Sequence, residues 1–101
     1  MPAAYLVGHV TITNLEGYSG YSARVPGTLK AFGGSYLVRG GQATMLEGGG
    51  LGERHVVIAF PSREKAEAWY NSEAYQAIIG IRQANSVGQL VLVDGLDVQP
   101  V

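Results

Sequence analysis

The chain has no cysteine among its 101 residues. That excludes disulfides, thiolate nucleophiles and zinc–thiolate sites, and removes any argument for an oxidising compartment. Charge is sparse as well. Eight acidic and seven basic residues give a formal net charge of −1, and no basic stripe exists to collect phosphates, so nucleic acid is not an expected partner. No segment approaches the ~20 apolar residues of a membrane span. Met1-Pro2-Ala3-Ala4-Tyr5 has neither the charged start nor the apolar stretch of a signal peptide. The expectations are no membrane partner and a cytoplasmic setting. Glycine is plentiful, yet there is no GxGxxG or P-loop pattern, and neither Gly40-Gly41 nor Gly48-Gly49-Gly50 opens a helix. A serine nucleophile elbow is absent too.

What is present is an alternation of short elements with room for a single domain over residues 1–101. A domain of this size buries only about 65% of the surface its unfolded chain exposes, so an oligomer interface would be a useful supplement. Ala4 to Ile12 is β-branched and aromatic and reads as a strand. Asn14 can cap a helix carrying Tyr18, Tyr21, Val25, Leu29 and Phe32 on one face, interrupted at Pro26-Gly27 and ended by Gly33-Gly34. Ser35 to Arg39 is a second strand. Gly40-Gly41 suggests a bulge or bend, with Ala43 to Leu46 continuing the strand and the glycine-rich 48–52 segment as a hairpin connection. Arg54 to Phe60 is a third strand. Ser62 caps a helix to about Tyr70, Asn71-Ser72 breaks and recaps it, and a further helix carries Tyr75, Ile78, Ile79 and Arg82. Gln89 to Val93 is the last strand. The tail from Leu96 to Val101 has no clear pattern and could reach a partner.

The order βαββαβ predicts an α+β fold, a four-stranded antiparallel sheet of order 4-1-3-2 with the helices on one face. The same order serves RNA-recognition domains, but Arg54 to Phe60 lacks the aromatic pair that stacks bases. The strands are apolar on both sides. Leu6, Val10 and Ile12 oppose Tyr5 and Val7; Val56, Ile58 and Phe60 oppose Val57 and Ala59; Leu90 and Leu92 oppose Val91 and Val93. Helices cover one side only, leaving roughly 300 Å² of flat sheet from strands ~4.8 Å apart and ~17 Å long. A second copy packed sheet to sheet, making a homodimer, is the simplest cover.

Gly8 lies between Leu6 and Val10 on the helix side, where a missing side chain leaves space. Either that space is a pocket for a small organic molecule, or Trp69 or a tyrosine fills it. Tyr18, Tyr21, Tyr36, Trp69, Tyr70 and Tyr75 are many aromatics for so short a chain; they fit a small-ligand cavity, or plain core packing. Arg24 and Arg39 could grip a carboxylate, Arg39 being favoured by its place in a strand beside a glycine pair. Arg82 reads as the partner of an acid. His9 and His55 fall on neighbouring strands and point to the dimer side. They are read as interface side chains ahead of a proton-transfer pair or metal ligands, so neither a metal nor a cofactor is expected. Glu47 and Asp94, each beside a glycine, could act as bases if buried.

Tyr18-x-x-Tyr21, Gly33-Gly34-x-Tyr36-Leu37-Val38-Arg39-Gly40-Gly41, Trp69-Tyr70-Asn71-Ser72-x-x-Tyr75-Gln76 and Leu90-Val91-Leu92-Val93-Asp94-Gly95 together resemble the domain-of-unknown-function 1330 family, within the dimeric α+β barrel superfamily. The resemblance implies a ferredoxin-like subunit and a sheet-to-sheet dimer. It implies no activity, although related barrels include cofactor-independent monooxygenases, lactone isomerases and haem-degrading enzymes that use the helix–sheet cavity. One expectation is a cofactor-free enzyme acting on a small carbonyl compound or aromatic acid. In it Arg39 and Arg24 would hold the anion, Tyr21, Tyr36, Trp69 and Tyr70 would line the site beside Gly8, and His9 or Glu47 would move a proton. The alternative is a non-catalytic dimer that binds a metabolite or a protein partner.

Overall fold

Alternating side chains decide how the first strand lies. In a computed structural model, which describes residues 3–50 and 52–96, β1 (Ala4–Ile12) is central and buries Ala4, Leu6, Gly8 and Val10 on one side. It pairs antiparallel with β3 (Arg54–Phe60) and with β4 (Ser86–Asp94), while β2 (Ser35–Arg39) pairs with the far side of β3. The sheet order is β2-β3-β1-β4, which is the predicted order read from the other edge.

Asn14 caps α1 (Leu15–Ser22), its Oδ1 accepting from the Gly17 amide at 3.2 Å. The helix does not break at Pro26-Gly27 as the sequence suggests. It stops at Ala23-Arg24, and Pro26 lies in the first turn of α2 (Val25–Leu29), where a missing amide hydrogen costs nothing because that turn has no acceptor for it. A short 3₁₀ turn, Lys30–Phe32, ends at Gly33 with φ +71°, the left-handed conformation that glycine adopts without a Cβ penalty. Ser62 and Ser72 cap α3 (Arg63–Tyr70) and α4 (Glu73–Asn85), each hydroxyl accepting from a backbone amide at 3.2 Å. Ser72 sits at the junction of the two helices and caps the second, so Ser72→Ala is expected to cost about 1 kcal/mol. Urea denaturation compares it with the native chain, and an unchanged midpoint would contradict the role.

Two strand expectations need correction. Ala43 to Leu46 does not continue β2; residues 41–46 are exposed and without regular structure. The bend expected at Gly40-Gly41 is present, Gly40 at φ +67° turning the chain away beside the Arg54 guanidinium, and a separate register irregularity falls between Tyr36 and Val38. In the other direction, β4 begins at Ser86, directly after α4, three residues earlier than the pattern indicates. Gly88 allows this: a Cβ there would collide with the His9 carbonyl and come within 2.6 Å of Val10 Cα, so β4 hugs β1 at its start. Of the tail from Leu96 to Val101, expected as a segment that could reach a partner, Leu96 is exposed, while residues 97–101, like Leu51, lie outside the described residues.

All helices cover one face of the sheet. The core between them holds Val10, Ile58 and Phe60 from the strands and Tyr18, Tyr21, Val25, Trp69, Tyr75 and Ile78 from the helices. The other face shows two cross-strand rows, Val38–Val57–Val7–Val91 and Ser35–Ala59–Tyr5–Val93. Val38, Val91 and Val93 are 40–50% exposed there, an apolar band running over all four strands.

Candidate functional site

The helices do not close evenly over the sheet. Between α3, the C-terminal end of α4 and β4 there is a cleft of about 700 Å³. Its floor is Leu6, Phe60, Leu90 and Leu92; Trp69 and Tyr70 come from α3, and Arg82 and Gln83 from α4. This volume suits a small organic molecule. Trp69 is the chain's only tryptophan and is 1% exposed. Its ring packs on Tyr75 at 4.1 Å and Phe60 at 5.4 Å between centroids, and its Nε1 donates to Thr28 Oγ1 at 2.9 Å. Thr28 in turn donates to the Val25 carbonyl, so the indole is held from both α2 and the sheet. Tyr70 stands at the mouth, 37% exposed, with its ring 5.6 Å from that of Tyr75.

The space over Gly8 has a different occupant from either expected one. Leu90 Cδ2 lies 2.8 Å from where a Gly8 Cβ would be, so this branched side chain from the neighbouring strand fills most of the gap. A residual cavity of about 20 Å³ remains, lined by Gly8, Tyr18, Tyr21, Tyr36, Arg54 and Arg82 among others. It shares Leu6, Leu90 and Arg82 with the larger cleft.

Tyr21 Oη and Tyr75 Oη are 2.8 Å apart and buried. Burial first, then the neighbouring Tyr75, raises the Tyr21 hydroxyl far above the ordinary phenol range. Burial also raises Tyr36, with the Arg39 guanidinium opposing it. Phenols of the unfolded chain ionise near pH 10, while in the fold these two resist it. Their stabilising contribution is therefore complete below about pH 10 and declines as pH rises beyond it, because the unfolded state then holds fewer protons. Urea midpoints are expected to fall between about pH 9 and pH 11, and less steeply in Tyr21→Phe; identical profiles for the two proteins would contradict the assignment.

The remaining sequence candidates stand elsewhere. Arg39 is exposed; its Nη2 donates to the Ser22 carbonyl at 2.7 Å and its guanidinium lies 4.7 Å from the centre of the Tyr36 ring, which latches β2 to α1. Arg24 is exposed in the turn between α1 and α2, and Glu47 is exposed in the connection between β2 and β3. Asp94 accepts from Arg63 Nε at 2.7 Å. His9 and His55 are cross-strand partners on the open face of the sheet, opposite the cleft. Their Nδ1 atoms are 2.8 Å apart, so one ring donates and the other accepts. His9 also borders a recess of about 140 Å³ with Gln89, Thr11 and Gly50. The structure thus brings Gly8, Tyr21, Tyr36, Trp69 and Tyr70 to the helix–sheet space and leaves Arg24, Arg39, His9 and Glu47 outside it. Among the described residues no three His, Asp or Glu side chains converge as a metal site would require, and no helix is long and apolar enough to cross a membrane.

Arg54 and Arg82 are the cations that do face this space. Arg82 is not paired with an acid, as its sequence setting suggested; the one ion pair among the described residues is Arg63–Asp94. Its spacing carried a signal, since Tyr75, Ile78 and Arg82 continue one helical stripe whose first two members are buried.

A four-stranded antiparallel sheet with its helices on one face and a cleft beneath them defines an α+β, ferredoxin-like domain. The chain belongs to the family described as Domain of unknown function (DUF1330), whose profile matches residues 3–96. Among solved structures it is similar to RPA0582, a protein of unknown function from Rhodopseudomonas palustris, with a TM-score of 0.78 at 16% identity, covering 95% of this chain and 84% of that one. It is similar also to a conserved protein of unknown function from Bacteroides thetaiotaomicron, described as a possible oxidoreductase, with a TM-score of 0.65 at 13% identity over 92% of this chain and 97% of that one. A third is SnoaB, a cofactor-independent oxygenase from Streptomyces nogalater, with a TM-score of 0.62 at 10% identity over 100% of both chains. At these identities the likeness shows the fold alone. No curated protein matches the chain.

Proposed function

We propose that the protein binds a small organic molecule, a carbonyl compound or aromatic acid, in the cleft between α3, α4 and β4, as one subunit of a homodimer. The observation that carries the reading is the cleft itself: about 700 Å³ floored by leucines, walled by a rigid tryptophan and reached by a guanidinium without an acid. Apolar body and sparse, placed polar groups are what a small-molecule site needs. Trp69 and Tyr70 would hold the flat part of the ligand, and Tyr21, Tyr36 and Gly8 form the layer behind. The homodimer is supported by the Val38–Val57–Val7–Val91 row, which a second copy would cover by two-fold stacking, with the His9–His55 pair near its edge.

Turnover without a cofactor is the second reading, supported by the end-to-end fold likeness to a cofactor-independent oxygenase. His9 and Glu47, the candidate proton carriers, lie outside the cleft, which favours binding over turnover. A thermal-shift screen of small carboxylic acids and carbonyl compounds, followed by mass analysis of each hit after incubation, separates the two. A true ligand at a hundred times its Kd adds about 2.7 kcal/mol, on the order of 10 °C in Tm for a domain this size. Hits recovered unchanged support a binder, and converted hits support an enzyme. A screen in which nothing raises Tm contradicts both.

A further inference from the structure

Two guanidinium groups reach the space under the helices, and neither meets a carboxylate there. Arg54 opens β3 and Arg82 lies in the last turn of α4; both line the small cavity over Gly8. The Nε of each is shut off from solvent and has no hydrogen-bond partner among the described residues. No Asp or Glu lines that cavity among the described residues, and the Tyr21 hydroxyl is already bonded to Tyr75. Arg54 rests over the Tyr18 ring at 5.6 Å, a contact that leaves its charge uncompensated. Glu67 lines the larger cleft but is exposed and not within ion-pair distance of Arg82.

Both arginines are half-buried with the Nε sealed; a cation partly shielded from water without a counter-charge carries a cost, and so does a sealed donor without an acceptor. Both costs are relieved by one planar oxyanion, because a guanidinium presents parallel N–H groups that match a carboxylate edge. We infer that Arg82, with Arg54 behind it, anchors the carboxylate of an aromatic monocarboxylic acid whose ring lies in the larger cleft against Trp69. Arg82 is the side chain common to the two spaces that can make this link, since the walls they otherwise share are Leu6 and Leu90. Inorganic phosphate fits less well. The residual cavity is about 20 Å³, which gives a tetrahedral dianion less room than the flat edge of a carboxylate. The inference rests on the cleft being a small-molecule site and adds the charge and shape of what enters it.

The test is titration calorimetry of the native protein with benzoate, phenylacetate and 2-naphthoate, with the primary amide of each, and with inorganic phosphate. The expected result is that at least one acid binds and that it binds at least tenfold tighter than its amide. Arg82→Gln should abolish that preference and Arg82→Lys should restore part of it. Should Arg82→Gln fail to fold, the acid-to-amide ratio in the native protein, together with its loss in Arg54→Gln, carries the decision. Equal affinity for acid and amide overturns the anion anchor while leaving the cleft as a binding site. Phosphate binding tighter than any acid overturns it as well. If none of the acids or amides binds, the anchor and the cleft reading both fail.

Discussion

Replacing Trp69 by alanine is expected to destabilise the fold by about 3–5 kcal/mol, the range for truncating a buried large aromatic. The indole is 1% exposed and packs on Phe60 and Tyr75, and its Nε1 holds Thr28 of α2. Its loss would open a void continuous with the cleft and leave the Thr28 hydroxyl to find another partner. Domains of this size are held by only about 5–15 kcal/mol in total, so much of the chain would populate the unfolded state. Trp69→Phe keeps most of the ring contact and loses the hydrogen bond, and should cost about 1–2 kcal/mol. Circular dichroism against urea measures both, because the variants have no tryptophan to follow. A cost below about 1 kcal/mol for the alanine variant would show that the indole is a cover and not a wall.

Val7→Lys is expected to break the proposed homodimer while leaving the chain folded. Val7 sits in the central strand on the open face, flanked by Val57 and Val91 at the same level. In a lone subunit a lysine there extends into water. In a two-fold stacked pair each copy carries one into the dry layer, and an unpaired buried charge costs about 3–5 kcal/mol. Two such costs raise the dimer Kd by at least about a thousandfold, which corresponds to 4.1 kcal/mol. Sedimentation velocity at micromolar protein reads this, with Glu64→Lys on the exposed side of α3 as the control that leaves the dimer intact. A native chain that sediments as a monomer, or a Val7→Lys chain that remains a dimer, would contradict the assignment of this face.

Most of the architecture is legible in the residues, for local reasons. Asn14, Ser62 and Ser72 announce helix starts through side chains that can accept an amide hydrogen bond, and all three do so. Alternation in β1 identifies the side that the helices cover. The errors arise where one local rule competes with another. Pro26 suggests a break within one helix, yet proline suits the first turn of a new helix equally well, which puts the break three residues earlier, at Ala23-Arg24. Ala43 to Leu46 looks like strand, but the irregularity after Tyr36 and the bend at Gly40 carry the chain off the sheet before it can pair.

The site was less legible because it is built across strands and helices. Gly8 signals a missing side chain, but the filler, Leu90, is its cross-strand partner from the other end of the chain. Arg39 looked unusual within its strand, and it reaches back to Ser22 instead of inward. Arg82 sits on a helix that reads as ordinary, and only the depth of Tyr75 and Ile78 on the same stripe marks its direction. Which charge faces a cavity depends on packing that no single element displays.

Trp69 offers a direct optical view of the cleft, as the sole indole in the chain and part of its wall. Titrating the native protein with 2-naphthamide and 2-naphthoate while following intrinsic emission asks whether a flat organic molecule comes to rest there. Saturable quenching with a shifted maximum, competed by other small aromatic acids, is the expected result. Emission that stays constant while calorimetry records binding would place the ligand elsewhere on the molecule and contradict the cleft as its site.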